Sequence, residues 1–130
     1  MTDALARLHR VMGPDHPVSM MASYNLANSY MDQEKYVQAE PYYADCLERR
    51  KRVLGRDHPH TLDTASNYAG LVLHLGKTAK AKRVLKDTLP RMLKVYGPNH
   101  NSTRVTQRNL QMLLGGGDQD GKVRFKQRVE

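Results

Sequence analysis

Apolar and small residues fall three and four positions apart along most of this chain, the spacing that gathers them on one face of a helix. After Pro17, Met21, Ala22, Leu26, Ala27 and Tyr30 keep this rhythm and predict a helix over roughly 18–32. Tyr36, Ala39, Tyr43, Cys46, Leu47, Val53 and Leu54 predict a second over roughly 35–54, with Glu40, Glu48, Arg49 and Lys51 largely on its opposite side. The pattern then begins again with Leu62, Ala65, Tyr68, Ala69 and Val72, followed by Ala81, Val84, Leu85, Thr88, Leu89, Met92 and Val95. Leu5, Leu8, Val11 and Met12 define a helix within 1–12, and residues 102–114 supply a last one. The expected fold is all-α, with about six helices in antiparallel hairpins.

The hairpins repeat. Gly13-Pro14-Asp15-His16-Pro17 returns as Gly55-Arg56-Asp57-His58-Pro59 and, weakened, as Gly97-Pro98-Asn99-His100-Asn101, a period of 42 residues. A fixed period of this size marks stacked two-helix units. The same offset pairs Asn25 with Asn67 and Asn109, Asp3 with Asp45 and Asp87, Leu5 with Leu47 and Leu89, and Ala27 with Ala69. Residues 1–114 therefore form one array: a closing helix at 1–12, units at 13–54 and 55–96, and an opening helix at 102–114. The junction reads as punctuation. Gly13, Gly55 and Gly97 suit a left-handed helix end, Pro17 and Pro59 suit a first helical turn, and Asp15 and Asp57 suit the positive end of a helix dipole. His16, His58 and His100 recur one repeat apart, about 20 Å for two helix diameters, too far to share a zinc ion with ligands at about 2.1 Å. They are expected to be structural.

Tyr24-Asn25-Leu26-Ala27, Lys35-Tyr36, Ala39-Glu40-Pro41-Tyr42-Tyr43, Leu47 and Val53-Leu54-Gly55-Arg56-Asp57-His58-Pro59 together resemble the 42-residue tetratricopeptide repeats of kinesin light chains and of nephrocystin-like and related repeat proteins. The resemblance implies a right-handed α-α superhelix whose opening helices line a concave groove that receives a partner protein or peptide. It implies an adaptor without catalysis, metal or cofactor, with an acidic peptide, kinesin heavy chain or a microtubule-associated complex among the expected partners. The heptads that would bind a kinesin heavy chain are absent from these residues. By resemblance, the groove positions are Met21, Tyr24, Asn25, Asn28 and Asp32; Asp63, Ser66, Asn67, Gly70 and His74; and Val105, Arg108, Asn109 and Met112. Two readings of the repeated asparagines stay open. Their carboxamides could hold a peptide backbone, or they could bond neighbouring helices. Met21, Asp63 and Val105 stand where some relatives grip a terminal carboxylate with cations, so that grip is not expected, while Arg108 could meet an acidic side chain. Pro90 predicts a kink near 86–90, and Gln111, in the register of Ala27 and Ala69, predicts a polar cap on the last helix.

Composition narrows the classes further. The chain has 130 residues and a formal charge of +8, enough to attract nucleic acid, anionic lipid, microtubules or an acidic peptide. A binder of nucleic acid or an anionic surface through basic helices and tail is the alternative. Nucleic acid is not the expected partner, because Arg49, Arg50, Lys51 and Arg52 lack stacking aromatics and read as a solvated helix face. No apolar run reaches the roughly 20 residues a membrane span needs. The single Cys46 excludes an internal disulfide and fits the cytoplasm, with cytoskeletal association following from the resemblance. Cys46, Tyr36, Tyr42 and Tyr43 are expected to pack in the core. No acid, base, nucleophile or metal set clusters, so no enzyme is expected. Residues 115–130 are expected to form a flexible, glycine-rich, basic tail. Opening inside one unit and closing inside another, the chain reads as a piece of a longer array or a shortened gene product, with modest stability expected.

Overall fold

Residues 2–115 are described by a computed structural model. Six helices follow one another: α1 (Asp3–Met12), α2 (Pro17–Asp32), α3 (Tyr36–Leu54), α4 (Pro59–His74), α5 (Thr78–Val95) and α6 (Asn101–Gly115). No strand occurs among the described residues. Each helix packs on the next in sequence, giving an all-α stack of helical hairpins. The helix α6 runs one residue beyond the expected end of the array, and the rest of the expected tail, 116–130, lies outside the described residues.

Short-range chemistry sets the helix ends, though not as the junction sequence suggests. The N-termini of α2, α4 and α6 are capped by histidine: His16, His58 and His100 each accept, at Nδ1, a hydrogen bond of 3.1 Å from the backbone N–H two residues on. This satisfies one of the otherwise orphaned first-turn donors. Asp15 and Asp57, expected to serve the helix dipole, instead turn back to arginines of α3 and α5, because a guanidinium offers a charge-assisted bond stronger than the dipole alone. Gly13 and Gly55 close α1 and α3 at φ 88° and 96° with ψ near extended (152° and 157°). That is not the left-handed helical turn expected, but it is a region that essentially only glycine occupies.

The core runs along the middle of the stack. Ala27, Ala39, Ala69 and Ala81 are fully buried, and their small side chains let successive helices approach closely. Between them sit Tyr43, Leu71, Val72 and Leu85, also fully buried. Tyr42 and Tyr36 are half-buried against this cluster, and Cys46 is fully buried. Helix α5 is continuous through Pro90, as α3 is through Pro41; in each the proline removes one backbone donor without ending the helix. The outward flank of α6 leaves Arg104, Arg108 and Gln111 exposed.

Candidate functional site

Repeated ion pairs fix the junctions on which the opening helices α2 and α4 are mounted. Arg49 reaches both Asp15, at 2.8 Å, and Asp45, at 2.9 Å, and Arg52 adds a second contact to Asp15 at 2.9 Å. One repeat on, Arg91 binds Asp57 at 2.8 Å and lies 3.4 Å from Asp87. The guanidinium of Arg52, then that of Arg49, holds the Asp15 carboxyl down to about 2. Lys77 at the start of α5 reaches back to Glu40 of α3 at 2.6 Å.

These pairs revise the picture of the arginine run as a solvated face. Arg49 and Arg52 are paired with acids, and Arg50 is only 3 % exposed. Helical geometry explains the burial of Arg50. It falls three or four residues beyond Cys46 and Leu47, and seven beyond Tyr43, so it continues the apolar stripe of α3. The Nη1 of Arg50 donates to Thr64 Oγ1 at 2.8 Å and lies 3.4 Å from the His60 carbonyl. Its guanidinium sits 4.6 Å from the ring centroid of Tyr24. The Nε of Arg50 has no hydrogen-bond partner among the described residues.

The residues expected from the sequence to line a groove stand in different environments. Asn67 is buried, and its Nδ2 donates to the Tyr24 hydroxyl at 2.7 Å, joining α4 to α2. Ser66 and Thr106 share a buried hydrogen bond of 2.9 Å that joins α4 to α6. Asn28 accepts from the Tyr43 hydroxyl, so it ties α2 to α3. Asn109 is buried as well, whereas Asn25 is exposed. The three asparagines share a register but not an environment, and for Asn67 the neighbour-bonding reading holds. Asp63 is half-buried and accepts from the Tyr96 hydroxyl at 3.2 Å; burial raises its carboxyl pKa and the Tyr96 bond opposes the rise. His74 is exposed and stacks on Tyr36 with centroids 4.5 Å apart. Met112 is half-buried and Arg108 exposed.

A pocket of about 120 Å³ lies where α2, α3 and α4 meet, between Pro17, Met20 and Met21, Arg50 and Leu54, and His58 and His60. The sequence reading did not single it out. A signal was present, because the 42-residue offset sets Arg50 against Leu8 and Met92, a charge in an apolar register. Burial, then the nearby Arg50 and His58, lowers the pKa of His60.

Desolvation pushes the Cys46 thiol up to about 11, which suppresses the nucleophilic thiolate. Among the described residues no group of three or more His, Cys, Asp or Glu could hold a metal ion, and no helix is long and apolar enough to cross a membrane. A search of curated proteins finds no match. The family model described as tetratricopeptide repeat matches residues 18–94, from the first turn of α2 to the last of α5, and the chain belongs to that family of helical repeats.

Proposed function

We propose that the chain is a protein-binding adaptor that takes a partner protein or peptide on the face formed by α2, α4 and α6, in the manner of the cargo domain of kinesin light chains. The observation that carries this reading is the cross-bracing of that face. Asn67 to Tyr24 and Ser66 to Thr106 link the three opening helices into one surface, a rigid platform of the kind that limits the entropic cost of binding. In this reading Asn25, His74, Arg108 and Met112 make contact, while Tyr24, Asn28, Asp63, Ser66, Asn67 and Asn109 hold the surface in shape. Arg108 favours an acidic segment. A cytoplasmic location and a kinesin heavy chain or microtubule-associated complex as the wider assembly belong to the same proposal. The alternative of a basic surface for nucleic acid loses support, since Arg49, Arg52, Arg91 and Lys77 are already paired with carboxylates.

The test is affinity capture from the source cell's lysate, comparing the intact chain with a triple variant in which Asn25, His74 and Arg108 become Ala. Loss of a specific captured protein with unchanged helicity is the expected result. Equal capture by the variant would refute the placement of the site, and capture that collapses in moderate salt together with nucleic acid would favour the alternative.

A further inference from the structure

The pocket between α2 and α4 has an internal counterpart one repeat later, and the two are filled differently. Between α4 and α6 the 42-residue offset puts Tyr96 where the first pocket has Leu54, Asp63 where it has Met21, and Met92 where it has Arg50. In this second place the chain completes itself. The Tyr96 ring stacks on His100 with centroids 4.1 Å apart, and its hydroxyl reaches the Asp63 carboxylate at 3.2 Å. Met92 lies fully buried beside them in sequence register.

In the first place the same framework is left open and its chemistry is reversed. Leu54 is too short to do what Tyr96 does, and the space remains as the pocket of about 120 Å³. The carboxylate has gone from the opening helix, replaced by the half-exposed Met21, and a cation has entered from the closing helix as Arg50. Among the described residues no carboxylate oxygen lies within 4.0 Å of that guanidinium, and Nε has no partner. A buried charge without a counter-ion is unfavourable unless something offsets it. Thr64, the face of Tyr24 and, beyond 4.0 Å, the half-buried Asp63 carboxylate that feels its charge do so in part. No acidic residue lines the pocket, and the first turns of both α2 and α4 border it through Pro17, His58 and His60. Their dipoles add positive potential to that of Arg50.

We infer that this pocket is a subsite for a carboxylate carried on a short aliphatic stem, supplied by a glutamate side chain of the partner. The carboxylate pairs with Arg50, and its methylenes lie against Met20, Met21 and Leu54. This rests on the protein-binding reading above and specifies one residue type that the partner brings. The geometry suits glutamate because the exposed Met21 and His60 lead inward to the buried Met20 and Arg50, so that the acid must reach past apolar surface before it meets the charge. At the equivalent position of the next unit the chain places a carboxylate of its own, Asp63, which accepts from the Tyr96 hydroxyl.

The experiment is a titration of the full chain, followed by NMR signals of the Met20 and Met21 methyl groups and the His60 ring. The probes are a blocked alanine pentapeptide with a central glutamate, its glutamine analogue, and free butyrate. Saturable shifts with the glutamate peptide and none with glutamine support the inference. Arg50→Met, which copies the next repeat, should weaken that binding roughly tenfold or more, as expected for loss of a charged hydrogen bond. Met21→Asp, which restores the acid of the next repeat, should raise the melting temperature and displace the peptide. The two variants keep the test decisive even if one of them folds poorly. Binding of butyrate without the peptide would keep the carboxylate site and overturn its assignment to a partner. Equal binding of both peptides, or no effect of either variant, would overturn the subsite. Partner capture that survives Arg50→Met but fails in the Asn25, His74 and Arg108 variant would sink this inference alone.

Discussion

Glu34 and Gly76 occupy the same place in successive repeats, two residues after an opening helix, and both take positive φ, 60° and 81°. The backbone bonds around them match: Lys35 N–H donates to the Tyr30 carbonyl and Lys77 N–H to the Val72 carbonyl, each at 2.8 Å. This is the wrap-around that ends a helix in a left-handed residue, and for glutamate that conformation is strained by its Cβ. Glu34→Gly should therefore stabilise the protein by about 1 kcal/mol, read as a rise in the urea midpoint at constant slope. Gly76→Glu should do the reverse. Asp15 offers a pH-dependent counterpart. Its folded pKa of about 2 lies below the ordinary 3.8, so its contribution is present above 3.8 and is lost as pH falls toward 2. Acid titration of the melting temperature should show a steeper fall between pH 4 and 2 in the native chain than in Asp15→Asn. At this scale the sequence was readable where the interaction is local. The prolines that open α2 and α4 could be read directly and the glycines Gly13 and Gly55 as helix ends, though not their conformation; the histidine cap could not, because which of Asp15 and His16 serves the helix depends on arginines 34 and 37 residues away.

Helices α4 and α6 carry the same opening-helix register but stand in different company. Helix α4 lies between α3 and α5, and it buries ten of its residues, including Asn67 and Ala69. Helix α6 packs on α5, and its position 111 faces outward. A larger side chain should be rejected at one site and tolerated at its repeat equivalent. Ala69→Leu should cost about 1–3 kcal/mol, the usual penalty for overpacking a filled core, while Gln111→Leu should change stability by less than about 0.5 kcal/mol. Chemical denaturation of the two variants checks both halves. The small residues Ala27 and Ala69, with Gln111 in their register, signalled this contrast in the sequence. By contrast, nothing local distinguished Asn25 from Asn67. Their difference comes from Tyr24, which receives Asn67 from the neighbouring helix.

As a whole the molecule is a row in which each helix touches its sequence neighbours, so stability is set by adjacent interfaces rather than one central core. The α1 end of the row is less well supported than the helices that follow. Helix α1 buries Leu5 alone, whereas α3 buries Ala39, Tyr43, Cys46, Leu47 and Arg50. Amide hydrogen exchange should reflect this gradient, with α1 exchanging at least about tenfold faster than α3 and α4 through local opening. Uniform protection from α1 to α6 would mean a single all-or-none unit instead.

Sequence alone determined the all-α class, the number of helices and the 42-residue period, because helical periodicity, proline and glycine act through neighbours along the chain. The tertiary structure decided which members of each repeated set are buried or bonded and which stay exposed. It buried Arg50 beneath Tyr24, bound Asn67 to a neighbouring helix, and filled one inter-repeat pocket with Tyr96 while leaving the other open beside Leu54. Each of these outcomes depends on side chains brought together from distant parts of the chain, where volume and charge must match in space and no periodicity records the match.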